Sequence, residues 1–174
     1  MGLIFQFCGL SGAGKTTLAE AIFNELEGRS YKVKVIDGDV YRQTLCKDLG
    51  FSRSDRIENA ARLGAYAETL REEFDFILIA IINPYQEGRK MLMLKHNAKL
   101  VWIKCNIDIL MARDTKGLYK KALLPDGHPD KIYNLTGLND TFEPPTSADM
   151  ILNTDLLNIH ESLRIAIDFM ISCC

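Results

Sequence analysis

The chain has 174 residues, enough for one domain (1–174) with a real core, and its 47% hydrophobic and 25% charged content is ordinary for a globular protein. A net charge of −2 gives no reason to expect a nucleic-acid partner. The longest apolar stretch, around residues 76–82, is far too short to span a bilayer, and no basic leader precedes the first strand, so no membrane partner is expected. In chain order, apolar runs predict strands at 3–8, 32–36, 75–82, 99–105 and 149–152. Amphipathic segments between them predict helices at 15–27, 40–48, 54–73, 85–96, 107–112 and 156–171. The alternation reads as an α/β fold, a doubly wound parallel sheet of about five strands with helices on both faces. The runs Phe76-Ile77-Leu78-Ile79 and Leu100-Val101-Trp102-Ile103 are continuously apolar, as strands buried on both faces should be. Ser52-Arg-Ser-Asp55 resembles a capping signal for the helix that follows. Residues 114–147 hold four of the five prolines and little periodicity, and are expected to form a mobile lid. The five cysteines form no C-x-x-C pair, which fits a reducing cytoplasm.

The chemistry starts after the first strand. Gly9-Leu-Ser-Gly-Ala-Gly14-Lys15-Thr16 is a G-x-x-x-x-G-K-[ST] pattern between a strand and a helix. Glycines let backbone N–H groups turn toward phosphate oxygens, and the helix N-terminus adds the positive end of its dipole. Lys15 is placed to reach the β- and γ-phosphates of ATP, and the Thr16 hydroxyl to ligate Mg²⁺.

Asp37-Gly38-Asp39 ends the second strand, beside the tip of that loop. One carboxylate is placed to hold Mg²⁺ through water, the other to accept a proton from a substrate hydroxyl. The third strand ends in Asn83-Pro84-Tyr85 with no carboxylate, which argues against motor ATPases and GTPases. Arg56 and Asn59 share a helix face at i and i+3 and, with Arg42, form a candidate clamp for an anionic second substrate. Arg113-Asp114-x-Lys116-Gly117 opens the expected lid, with cations placed to cover a transferring phosphoryl group. His96, His128 and His160 belong to no such constellation.

Taken together, these segments resemble the adenylyl-sulfate (APS) kinase family. The resemblance rests on the Gly9–Thr17 loop, Asp37-Gly-Asp39-x-x-Arg42, Asp48-Leu-Gly-Phe51-Ser-x-x-Asp55-Arg56-x-Glu58-Asn59, and Arg113-Asp-x-Lys116-Gly-Leu-Tyr-Lys-Lys-Ala122. It runs in order over nearly the whole chain. It implies a compact, dimeric kinase that moves the γ-phosphoryl of MgATP to the ribose 3′-hydroxyl of a nucleotide. By position, Gly9, Ser11, Gly12, Ala13, Gly14, Lys15, Thr16 and Thr17 would bind ATP, with Arg113 beside them. Thr16 and Asp37 would hold Mg²⁺. Lys15, Asp39 and Lys116 would be catalytic, Asp39 as the base. Arg42, Phe51, Arg56, Asn59, Lys116, Gly117, Leu118 and Leu135 would meet the acceptor together with Asp39.

The sequence departs from the family mainly on the acceptor side. D-G-D-N becomes Asp37-Gly-Asp-Val40, and I-S-P-Y becomes Ile82-Asn83-Pro84-Tyr85, so no hydroxyl-based phosphoenzyme can form there. E-N-I-R-R becomes Glu58-Asn-Ala-Ala-Arg62, and F-T-G becomes Leu135-Thr136-Gly137. Leu135 removes one face of an aromatic clamp opposite Phe51, where stacking is worth about 1–3 kcal/mol per base. The family's branch acting on cytidine diphosphoramidate, in capsule modification, is therefore a second expectation for the acceptor. A nucleotide-binding module without kinase activity is a third.

Overall fold

The computed structural model describes residues 1–174. The strand β1 (Leu3–Cys8) lies at the centre of a five-stranded sheet of order β2-β3-β1-β4-β5. It pairs with β3 (Phe76–Ala80) and β4 (Lys99–Lys104), and β2 (Val33–Asp37) and β5 (Met150–Asn153) form the two edges. Every pairing is parallel, as the βα alternation predicts. The chain leaves β1 toward β3 and β2, then crosses back to β4 and β5. The carboxyl end of β1 is thus a topological switch point, where such sheets bind ligands.

Period-2 side-chain alternation divides the core into two layers. On one face Phe5, Phe7, Phe76 and Leu78 pack with Leu18 and Ile22 of α1 (Lys15–Gly28) and Ile167 and Met170 of α7 (Ile159–Ser172). On the other, Ile4, Ile36, Ile77 and Ile79 pack with Leu63 of α3 (Arg53–Thr69) and Leu92 of α4 (Gln86–His96). Each such fully buried side chain stabilises the fold by about 1.5–3 kcal/mol. Gln6 interrupts the apolar run in β1 yet is fully buried.

Helix boundaries follow local hydrogen bonds. The Ser52–Asp55 signal is a reciprocal capping box on α3, and Asn158 with Glu161 makes a second one on α7. That second box starts α7 at Ile159 rather than at 156. The helix α3 stops at Thr69 rather than 73. The Thr69 hydroxyl donates to the Tyr66 carbonyl, competing with the helical ladder. The predicted helix 40–48 is one turn, α2 (Gly38–Tyr41), followed by successive turns. The Asp37 carboxylate starts α2 by accepting from the Asp39 and Val40 amides. Several amides of the turns that follow bond to carbonyls three residues back, so no α-ladder propagates. Segment 114–147 contains one short helix that the sequence did not announce, α6 (Leu118–Ala122), after α5 (Ile107–Arg113).

Candidate active site

The turn at 9–14 leaves the end of β1 and enters α1. A Cβ on Gly9 would lie 2.2 Å from the Ile103 carbonyl oxygen of the neighbouring strand, so only glycine passes there. Gly14 precedes α1 in a left-handed conformation, and no side chain caps the helix. The first amides of α1 are therefore available to an anion, and the helix dipole favours one. Lys15 folds back over the turn, donating to the Gly9 and Leu10 carbonyls at 3.0 and 2.8 Å. Burial lowers its pKa to about 8, and the neighbouring Lys116 pushes in the same direction.

Above the turn lies a cavity of about 620 Å³, within the range of ligand sites. At its donor end are Ser11, Gly12, Gly14, Lys15, Thr16 and Thr17. The Thr16 hydroxyl donates to Asp37 at 2.6 Å. These two oxygens suit a hard cation. The chain has no cluster of three or more His, Cys, Asp or Glu side chains capable of holding a metal by themselves. One or two protein oxygens completed by phosphates and water is the coordination habit of Mg²⁺.

Asp39 sits between the two ends. Lys116 reaches it from segment 114–147 at 2.8 Å, and both side chains are exposed. Asp114 organises this part of the segment by accepting from the Tyr119 and Lys120 amides at the start of α6. The Tyr119 hydroxyl then donates to the Ser11 carbonyl, tying α6 to the phosphate loop. Burial raises the Tyr119 pKa to about 12, so it stays a donor.

The acceptor end is lined by Arg42, Phe51, Arg56, Asn59 and Leu135. Arg42 and Arg56 lie against the Phe51 ring, 4.5 and 5.4 Å from its centroid. Arg42 donates only to the backbone, at Leu49 and Gly50, and burial together with Arg56 lowers its pKa. Arg56 donates to the Phe51 and Asn134 carbonyls and pairs with Asp140. The Oδ1 atom of Asn59 is buried and has no hydrogen-bond partner in the protein. Leu135 is 5% exposed and packs into the core as well as lining the cavity.

Four of the sequence-selected residues do not line the cavity. Gly9 lies beneath the loop, and Ala13 is core, its carbonyl accepting from Thr154. Gly117 starts α6. Arg113 is exposed and borders a small recess behind the loop with Ser11 and Tyr119. Conversely, Asn134, Thr136 and Ile132 line the cavity with no prior signal beyond the Leu135-Thr136-Gly137 run. Arg89 was also missed. It is fully buried and donates to the Asn83, Gln86 and Glu143 oxygens, fastening the turn after β3. Asn83 in that turn donates inward to Gln6, which explains the glutamine in the central strand.

A family model described as adenylylsulphate kinase matches residues 1–153. The chain belongs to the adenylylsulphate kinase family. It is 44% identical over 163 residues to the adenylyl-sulfate kinase of Chloroflexus aurantiacus, covering 93% of this chain and 85% of that one. It is 36% identical to the Deinococcus deserti enzyme of the same name, over 97% of this chain and 91% of that one. Its fold superposes with a TM-score of 0.90 on the Mycobacterium tuberculosis APS kinase CysC, solved in complex with AMPPNP and APS. Identity there is 32%, and 97% of each chain is covered. This adenylylsulphate kinase family member is accordingly an ATP-dependent kinase with the five-stranded parallel sheet of that fold. No helix is long and apolar enough to cross a membrane.

Proposed function

We propose that the protein transfers the γ-phosphoryl group of ATP to the ribose 3′-hydroxyl of adenylyl sulfate, giving 3′-phosphoadenylyl sulfate. The observation that carries this reading is one cavity joining the phosphate loop, Asp39, and the Arg42–Phe51–Arg56–Asn59 wall. The relatives above are named for adenylyl sulfate, which favours that acceptor over cytidine diphosphoramidate. The loop residues Ser11 to Thr17, apart from Ala13, would hold the triphosphate, and Lys15 would neutralise its charge. Thr16 and Asp37 would hold Mg²⁺, which when bound supplies charge neutralisation on the phosphates.

Asp39 is the base in this reading. It takes the 3′-hydroxyl proton as the new O–P bond forms and the β–γ bridge breaks, releasing ADP. Lys116, already 2.8 Å from Asp39, stands where charge develops between donor and acceptor. Phe51 stacks on the acceptor base, with Arg42, Arg56 and Asn59 meeting its polar and anionic groups. Asn83 carries no hydroxyl and its amide is engaged with Gln6, which supports direct in-line transfer.

The test is ADP release from MgATP with adenylyl sulfate present and absent. Acceptor-dependent release with formation of 3′-phosphoadenylyl sulfate is expected. ATP binding without any acceptor-dependent turnover would sink the reading in favour of a non-catalytic module. A preference for cytidine diphosphoramidate in kcat/KM would keep the chemistry and replace the acceptor. The single-domain organisation and the homodimer implied by the family resemblance belong to the same proposal, with light-scattering mass as the check on the dimer. A cytoplasmic location is supported by five free thiols.

A further inference from the structure

Arg56 is the most tightly held cation at the acceptor end. Its Nε donates to the Phe51 carbonyl at 3.0 Å, and its Nη2 donates to both the Asn134 carbonyl at 2.8 Å and Asp140 at 2.9 Å. Nη1 alone has no protein acceptor. Nη1 retains some exposure although Arg56 as a whole is 7% exposed, and Arg56 lines the cavity. A guanidinium is planar and rigid, so fixing Nε and Nη2 fixes the direction of Nη1.

Of the three acceptors that hold Arg56, only Asp140 is charged. It is itself set by its turn. Its second carboxylate oxygen accepts from the Thr141 amide at 2.8 Å, and its carbonyl accepts from Gly137 at 2.8 Å. Its amide donates to Leu135 at 3.2 Å. One residue thus shapes the turn that presents Leu135 to the cavity and aims the arginine opposite.

We infer that Asp140 is a positioning residue for the acceptor, acting through Arg56 to direct Nη1 at an anionic group of the bound nucleotide. The inference rests on the kinase reading above. It makes a prediction of sign. As a bare charge, Asp140 repels an anionic acceptor, and removing that charge tightens binding. As the group that aims Arg56, its removal loosens binding.

The experiment measures steady-state kinetics of Asp140→Asn and Asp140→Glu with MgATP and adenylyl sulfate. Asp140→Asn is expected to raise the acceptor KM by about tenfold or more, with a smaller fall in kcat. The KM for ATP should stay within about twofold, because the loop lies at the other end of the cavity. In an Arg56→Lys background the same change should add little, since the fork is already lost. Asp140→Glu should recover part of the loss. An acceptor KM that is unchanged or lowered in Asp140→Asn overturns the inference. So does a parallel loss of ATP affinity, which marks general damage to the fold. A wild type that fails to turn over adenylyl sulfate removes the kinase reading, and this role with it. The variant-to-wild-type ratio tests the role alone.

Discussion

The donor end of the cavity is built from consecutive residues and backbone amides, whereas the acceptor end is assembled from side chains spread between Arg42 and Asp140. Six of the eight residues from Gly9 to Thr17 that were selected for ATP face the cavity, on a single turn set by the end of β1. Across from them, Arg56 finds Asp140 only 84 positions further along the chain. A site made of one turn is fixed as soon as its strand and helix form. A site made of distant side chains depends on each anchoring bond. Of the family departures Val40, Ala61 and Leu135, only Leu135 falls in the second kind of construction, and the other two do not line the cavity.

The largest expected effect is at the donor end. Lys15→Ala should lower turnover by about 10²–10³-fold or more, because no other side chain of the loop carries positive charge. Residual activity within tenfold of wild type would break the comparison. Asp39→Asn should lower kcat by about 10²–10⁴-fold while leaving the ATP KM nearly unchanged, separating proton transfer from donor binding. If kcat stayed near wild type, another group would have to be the base. Phe51→Ala should raise the acceptor KM by about 5- to 100-fold through loss of stacking, with ATP binding intact. An equal effect on ATP binding would show that the two ends are not independent.

The smallest effect concerns pH. Lys15 has its pKa lowered to about 8 by burial. A triphosphate beside it favours the charged form and raises that pKa again. Binding therefore takes up a proton as pH rises past 8, and ATP affinity should weaken there by up to about tenfold per unit. Calorimetry in buffers of different ionisation heat reads the proton uptake directly, and no uptake at pH 8–9 would refute the shift. For the protein alone the sign is opposite. The unfolded chain binds more protons between about 8 and the ordinary lysine value of 10.5, so this group's destabilising contribution fades as pH rises through that window.

The same contrast explains what could be read from the residues. Continuous apolar runs such as Phe76-Ile77-Leu78-Ile79 placed the interior strand β3 to within two residues, because burial on both faces leaves no polar positions. The Ser52–Asp55 box marked α3 correctly, since both partners are local. The stretch 40–48 misled because i→i−3 turns and a helix share the same spacing of apolar residues. The helix α6 is too short for periodicity to register, and its start depends on Asp114 reaching forward to the Tyr119 and Lys120 amides. Asp140 left no trace because Arg56 lies 84 positions away, and Arg89 left none because its full burial joins two nearby acceptors to the distant Glu143 carbonyl. Residues 114–147 looked uniform as a lid. Its second part is fastened by Arg56 and Arg89, while its first part is held to the phosphate loop by the buried Tyr119 and to Asp39 by the exposed Lys116.

The uncapped start of α1 has a thermodynamic consequence. The helices α3 and α7 close their own amino ends with side chains, but α1 begins after a glycine and leaves that task to whatever anion arrives. Nucleotide then becomes part of the folded state's free energy. At a hundred times its Kd it adds about 2.7 kcal/mol to resistance against unfolding. Heat tolerance of this chain should accordingly track the surrounding nucleotide pool, so that an ATP-starved cell holds a measurably softer protein than a well-fed one.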